Sequence, residues 1–403
     1  MDTRAHQGSR APLTPVSTAS VEGLLVVLPS ASRGDQALDP GVVVAGLALL
    51  RRVVLAAARA GLLPIVVGYP RREVASILAG TSAILLAPDE AMERVPAGRL
   101  VFLPLAVIPQ SDWLGALLAT PLGAGQLHVD PGTVAVLDAD DPGRVLSVAS
   151  SCRSLDEVVG ALRTSFKTED RAFDERGRFV LAGPRAVRAL ERWLLENLIK
   201  PNEGFMSRHF ERRISLALTR RLCKTGVTPN TMTLVSVAIG LVGTAFFLSS
   251  APAYQFSGAL LFLIHSILDG CDGELARLKF LESRFGAVLD ILGDNLVHTA
   301  AFLFMAVGWS LDTRAWWPLA LGGIAIFSTL TVATIVHRRG MRASTGDGPP
   351  SALSRVADKS VHRDFIYLIL LLAAAGKVRW FLVLTAIGAP IFLLLLFWLG
   401  RRR

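Results

Sequence analysis

Four aspartates, Asp269, Asp272, Asp290 and Asp294, fall at fixed offsets inside an otherwise apolar stretch of the chain. A carboxylate at membrane depth costs about 3 kcal/mol or more unless it is paired, hydrated or bound to an ion. Arg277, Lys279 and Arg284 are the nearby cations, and four carboxylates outnumber them. Oxygen-only ligands favour a hard cation, Mg²⁺ or Mn²⁺, and four of them accommodate two ions. If the flanking segments are helices, Asp269 and Asp272 share one face of the first, and Asp290 and Asp294 share one face of the second. The short link at 278–284 makes the two helices antiparallel neighbours, so the four carboxylates converge. Gly273 and Gly286 weaken their helices but let a ligand approach the backbone. Arg277 sits where a guanidinium clamps phosphate oxygens. Cations and an arginine around a diphosphate are the equipment of phosphoryl transfer.

The elements that must hold these residues are apolar and long. The chain of 403 residues is 52% hydrophobic, with a mean hydropathy of +0.48, too apolar for a purely soluble protein. Up to about Lys224, apolar runs alternate with charged turns. Beyond Thr228, six apolar stretches follow, near 232–249, 256–275, 285–309, 316–336, 365–375 and 380–399. Most approach the roughly 20 residues that cross a bilayer; the fifth is short. Basic residues gather before the first stretch (Arg208, Arg212, Arg213, Arg220, Arg221 and Lys224), between the fourth and fifth, and at Arg401, Arg402 and Arg403. Positive residues stay on the cytoplasmic side, which predicts six spans with both ends and the aspartates facing the cytoplasm, in the plasma or inner membrane. Lys377 and Arg379 fall on the other side of this scheme. Trp309, Trp316, Trp317 and Trp380 read as interfacial anchors. The net charge of +9 is explained by attraction to anionic headgroups, so no nucleic-acid partner is expected.

The first half reads differently. Residues 1–20 are rich in Ser, Thr, Ala and Pro, without the apolar core of a signal peptide, and read as a disordered lead-in. From 21 to 190, short apolar runs alternate with helical patterns, as expected of an α/β sheet. Residues 24–28, 63–67, 83–86 and 100–107 read as strands, and 42–60 as a helix. Asp138, Asp140 and Asp141 offer a metal site, but Asp before Pro-Gly more often marks a solvated turn. A linker helix at 184–200 and a second helix at 206–223 lie around the junction at 191–226. Phe210, Ile214, Leu218 and Leu222 form an apolar stripe among arginines on the second, suited to a membrane surface. Three widely spaced cysteines, Cys152, Cys223 and Cys271, imply no disulfide framework.

Asp269-x-x-Asp272-Gly273-x-x-Ala276-Arg277, eight residues, then Gly286-x-x-x-Asp290-x-x-x-Asp294 resembles the CDP-alcohol phosphotransferase (CDP-alcohol phosphatidyltransferase) signature at every position. Val227-Thr228-Pro229-Asn230-x-x-Thr233 resembles that family's entry to its first span. The resemblance covers roughly the second half, 227–403. It implies an all-α six-helix transmembrane bundle that transfers a substituted phosphate from a CDP-alcohol to an acceptor hydroxyl, a polyol phosphate or a lipid, with release of CMP. By the same resemblance, Asp269, Asp272 and Asp290 hold metal ions, with Asp294 contributing or acting as general base. Asp269, Gly273, Ala276, Arg277 and Gly286 surround the nucleotide. Membrane lipids are partners, and a homodimer is allowed. The first half resembles a nucleotidyltransferase more loosely, through its first strand and helix, Pro64-Ile65-Val66-Val67-Gly68, and Val101 to Leu118. The family's glycine-rich loop is replaced by Pro29-Ser30-Ala31-Ser32-Arg33-Gly34-Asp35, and its metal-binding aspartate by Leu105-Ala106. A degenerate, structural or regulatory domain is expected.

Three other readings compete. Intramembrane salt bridges fail on the count of cations. A cation or proton transporter leaves Gly273, Ala276 and Arg277 unexplained. A prenyltransferase is disfavoured by the six expected spans and by the lack of an asparagine-led aspartate-rich motif. His265 and His298, four residues from Asp269 and Asp294, either tune those carboxylates or bond within the bundle. For the donor, CDP-diacylglycerol and phospholipid synthesis are preferred. A CDP-inositol-type phosphodiester synthase, suggested by the two-domain layout, is the alternative. Selectivity is expected from residues around the motif such as Arg208, Arg338 or Arg363.

Overall fold

The computed structural model describes residues 22–30, 38–88, 98–123, 125–199, 206–343 and 365–401. The chain divides into two compact units, Met1–Trp193 and Leu194–Arg403. The expected lead-in at 1–20 lies outside the described residues.

The first unit is built on a seven-stranded mixed sheet. Its strands are β1 (Gly23–Leu28), β4 (Leu62–Val67), β5 (Ile84–Leu86), β6 (Gly98–Pro104), β8 (Gln126–Asp130), β9 (Val134–Ala139) and β10 (Lys167–Asp170), in the order β10-β8-β9-β6-β1-β4-β5. β1 runs parallel to β4 and β6, while β9 runs antiparallel to β6 and β8. β1 is buried along its whole length, as a central strand covered on both faces must be. Helices α1 (Leu49–Arg59), α2 (Arg71–Leu78), α3 (Ser111–Ala119), α4 (Pro142–Ser150) and α5 (Leu155–Leu162) join the strands, and α6 (Val187–Glu196) follows the short pair β7 (Val107–Pro109) and β11 (Arg178–Val180).

One element departs from expectation. The start of the helix expected at 42–60 is instead a hairpin of β2 (Val43–Val44) and β3 (Leu47–Ala48). Ala45 and Gly46 both take positive φ, 47° and 80°, the conformation that two-residue hairpin turns require and a helix forbids. The helix begins only at Leu49. The strand expected at 100–107 likewise breaks after Pro104, into β6 and β7.

The second unit is helical: α7 (Arg212–Leu222), α8 (Pro229–Ala245), α9 (Pro252–Lys279), α10 (Arg284–Thr313) and α11 (Trp317–Ala343), then helices Phe365–Ala374 and Arg379–Arg401. A π-helical turn, Ser207–Glu211, leads into α7. Four helices are long and apolar enough to cross a membrane, at Pro229–Leu248, Arg284–Thr313, Trp317–Val336 and Arg379–Trp398. α9 is long but carries Gln255, His265 and the charged motif, and Phe365–Ala374 is short, so six crossings do not follow from length and composition. Apolar side chains face outward across these helices, as Phe327 and Leu394 do, while Phe262, Val297 and Met305 form the interior. α8 packs against both α9 and α10. Its approach to α9 is backbone on backbone: a Cβ on Gly258 would lie 2.7 Å from the carbonyl oxygen of Gly243. Arg379, on the wrong side of the charge scheme, bonds Asp312 and lies over the ring of Trp309, which neutralises it.

Candidate functional site

The site lies where the C-terminal turns of α9 meet the N-terminal turns of α10. α9 ends on Phe280, which takes the left-handed conformation (φ 55°) as its C-cap. α10 starts on Ser283, whose Oγ accepts from the Gly286 amide at 3.0 Å. This tight connection returns the chain with its motif residues facing those it has just left.

Asp269, Asp272 and Asp290 come together, each offering a carboxylate oxygen within 4.8 Å of the others. The two on α9 are buried and Asp290 is half-buried. Asp272 is held on both sides: Thr233 Oγ1 of α8 donates to its Oδ2, and its Oδ1 accepts from the Gly273 amide at 2.5 Å. Oδ1 of Asp290 is buried without a hydrogen-bond partner among the described residues. Such an atom normally costs about 1–3 kcal/mol. A carboxylate left this way, beside two others, suits a hard cation bound through oxygen. Lys279 does not fill the role, since its Nζ donates to the carbonyl of Thr225 at 2.9 Å.

Asp294 is the fourth aspartate of the motif. One turn further along α10, its Oδ1 lies 3.8 Å from Nε2 of the buried His265. Nδ1 of the same ring lies 2.9 Å from the carbonyl oxygen of Ser236. That contact sets the tautomer with the proton on Nδ1 and turns Nε2 toward Asp294. His298, the other histidine expected near these carboxylates, packs its ring against Phe262 and Phe365.

A cavity of about 170 Å³ opens beside the trio, lined by Asp272, Gly273, Ala276, Arg277, Gly286 and Asp290 among others. The two glycines make room for polar groups. A Cβ on Gly273 would stand 3.1 Å from Nη1 of Arg277, and one on Gly286 3.0 Å from Oδ1 of Asn230. Pro229, Asn230 and Thr233 line the same cavity from the first turn of α8. The sequence marked these three as an entry to a span, not as part of a site; a proline at a helix start followed by two hydrogen-bonding side chains one turn apart was the available signal. Arg338 is exposed on α11, while Arg363 and the side chain of Arg208 lie outside the described residues.

Comparison with known proteins agrees with this motif. The family model described as CDP-alcohol phosphatidyltransferase matches residues 226–400. Residues 226–400 thus form a domain that matches that family's model. A bifunctional IPC transferase and DIPP synthase of Thermococcus kodakarensis is 31% identical over 239 residues, 59% of this chain and 53% of that protein. A phosphatidylinositol phosphate synthase of Mycobacterium tuberculosis is 28% identical over 148 residues, 36% of this chain and 65% of that protein. The chain spans about half or less of the bifunctional relatives it matches. Among solved structures, the M. tuberculosis synthase with CDP-DAG bound matches over 45% of this chain and 90% of its own, at 22% identity and a TM-score of 0.36. Its complex with manganese and citrate matches over 43% and 91%, at 24% identity and a TM-score of 0.28.

In the first unit, Leu105 and Ala106 stand where the looser resemblance would have a metal-binding aspartate. The amides at the end of β6 are spent internally: Leu105 donates to the Leu28 carbonyl at 2.9 Å and Ala106 to Ser30 Oγ at 3.1 Å. Leu105 is fully buried. Of the acidic run at 138–141, Asp138 pairs with Arg99 and Asp141 caps α4, as a turn would have it.

Proposed function

We propose that the CDP-alcohol phosphatidyltransferase domain transfers a substituted phosphate group from a CDP-alcohol to an acceptor hydroxyl and releases CMP. The observation that carries this reading is the meeting of Asp269, Asp272 and Asp290 beside a cavity that Asp272 and Asp290 line together with Gly273, Ala276, Arg277 and Gly286. The three carboxylates, with Asp294 beyond them, would hold Mg²⁺ or Mn²⁺, two ions on the count of oxygens. Bound there, the metal supplies charge neutralisation for the diphosphate and for departing CMP. Arg277 binds phosphate oxygens through its guanidinium. Gly273 and Gly286 let the nucleotide reach the helix backbones. Asp294 takes the proton of the acceptor hydroxyl as that oxygen attacks phosphorus.

Six crossings, with α9 and Phe365–Ala374 completing the set, put the motif end of the bundle at the cytoplasmic face, where water-soluble CMP leaves. The basic segments bracketing the bundle support that orientation. Domain limits of 21–190, 191–226 and 227–403 fit this assignment.

The donor has two readings. CDP-diacylglycerol fits an enzyme whose substrate enters from the bilayer and serves phospholipid synthesis. A CDP-inositol-type donor is favoured by the relatives whose names join an IPC transferase to a DIPP synthase. Purified protein with Mg²⁺, an acceptor, and each donor in turn decides between them by CMP release. CMP from neither donor overturns the substrate assignment, and full turnover by Asp294→Asn overturns the base.

A further inference from the structure

The apolar stripe read as suited to a membrane surface faces outward, with Phe210 just before α7 and Ile214 within it 48% and 42% exposed, whereas Ser215 and Thr219 of α7 are buried. Arg212 is likewise turned inward, away from the lipid-facing role its basic neighbours suggest. What these three residues face is Glu274 of α9, the residue immediately after Gly273. Glu274 is fully buried. Its Oε1 accepts from Ser215 Oγ at 2.6 Å and from Arg212 Nη1 at 2.8 Å, and its Oε2 from Thr219 Oγ1 at 2.7 Å. The donors step three and four residues along one face of α7, so a single carboxylate takes that face.

Glu274 takes no part in the chemistry proposed above, because it points the other way. Two residues along a helix turn through about 200°, so Glu274 and Asp272 lie on opposite sides of α9. The geometry points to a positioning residue: we propose that Glu274 fixes the rotation and height of α9 from behind, so that Asp269 and Asp272 stay turned toward Asp290. The need for such a brace follows from electrostatics. Three carboxylates within 4.8 Å of one another repel, and the repulsion pushes α9 away from α10. The backbone of α9 is also open to α7 at this level: a Cβ on Gly270 would lie 3.0 Å from Arg212 Nη1.

This inference rests on reading the aspartates as a cation site, and one titration tests the two separately. Mn²⁺ binding is followed by electron paramagnetic resonance on the full-length protein in detergent, for wild type, Asp269→Asn, Glu274→Ala and Glu274→Gln. Loss of the brace weakens Mn²⁺ binding by about tenfold in Glu274→Ala and less in Glu274→Gln, which keeps an acceptor for Ser215 and Arg212. A residue that only adds stability would lower the yield of folded protein and leave the affinity of the folded fraction unchanged. If wild type binds no Mn²⁺, or Asp269→Asn binds as wild type does, the cation site fails. If those two behave and both Glu274 variants stay within about twofold of wild type, the brace fails. Should Glu274→Ala not fold, Glu274→Gln decides alone, with affinity unchanged within that margin overturning the proposal.

Discussion

The two units treat buried carboxylates in opposite ways. In the sheet unit, Asp138 forms a two-pronged pair with Arg99 at 2.7 and 2.8 Å, and Asp130 accepts from Arg178 at 2.8 Å. Both of these carboxylates have a cation supplied by the chain. In the helical unit, Asp269, Asp272 and Asp290 face one another, and Asp272 accepts from a hydroxyl and an amide, neither of them charged. A carboxylate neutralised from within serves the fold. A carboxylate pressed against its like is kept for a cation from outside, and its cost to stability is borne by the neighbouring elements. Glu274 belongs to the first kind although it sits beside the second, since Arg212 completes it.

The comparison breaks most sharply at Asp290. Asp290→Asn is expected to lower CMP release by at least about 100-fold, the scale of losing one preorganised electrostatic group, and chelating the divalent metal from wild type should do the same. In chelator, the variant should melt at or above the wild-type temperature, because one repelling charge is gone. A variant that loses activity and stability together would mean that Asp290 holds the helices rather than a cation.

Much of this site was readable in the sequence, and the reason is geometric. Asp269, Asp272, Asp290 and Asp294 sit at helical spacing, so pattern alone puts each pair on one face. Which of the four draw together depends on how α9 and α10 roll against α8, and spacing carries no information about roll; it could not show that Asp294 comes within 3.8 Å of His265. Thr233 and Asn230 escaped notice for the same reason, since they reach the cavity from a third helix. In the sheet unit, β1 was legible from its apolar run. The β2–β3 hairpin was not, because Ala45 takes positive φ without the residue type that announces it. The apolar stripe of α7 faces outward, and the polar face that closes on Glu274 was not legible, because periodicity ranks a stripe by apolarity.

The sheet unit offers the converse test. Arg178→Met leaves Asp130 without its cation and should cost about 3 kcal/mol locally. Hydrogen exchange of the amides in β8 and β9 would show it, while CMP release per folded molecule stays at the wild-type level. A fall in turnover would show that this pair serves more than the fold. Gly273→Ala comes next in size. Its methyl would stand 3.1 Å from Arg277 Nη1, and displacing that guanidinium by a few tenths of an ångström should cost about tenfold in kcat/KM for the CDP-alcohol. Mn²⁺ affinity should not change, because the carboxylates are untouched.

The smallest effect is expected at Ser283. Its side chain caps α10 by accepting from the Gly286 amide at 3.0 Å, and Ser283→Ala should destabilise the first turn by about 1 kcal/mol. α10 runs for 30 residues and is held by Val297, Phe302 and Met305 in the interior, so fraying stops within that turn. The turn contains Gly286 but ends before Asp290. Faster exchange should therefore be confined to the amides of 284–287, with a modest rise in KM for the nucleotide donor and no change in Mn²⁺ affinity. If Mn²⁺ affinity falls as well, the trio hangs from the cap of α10 and not from the brace behind α9, and the division between carboxylates that serve the fold and those that await a cation loses its mechanical basis in this unit.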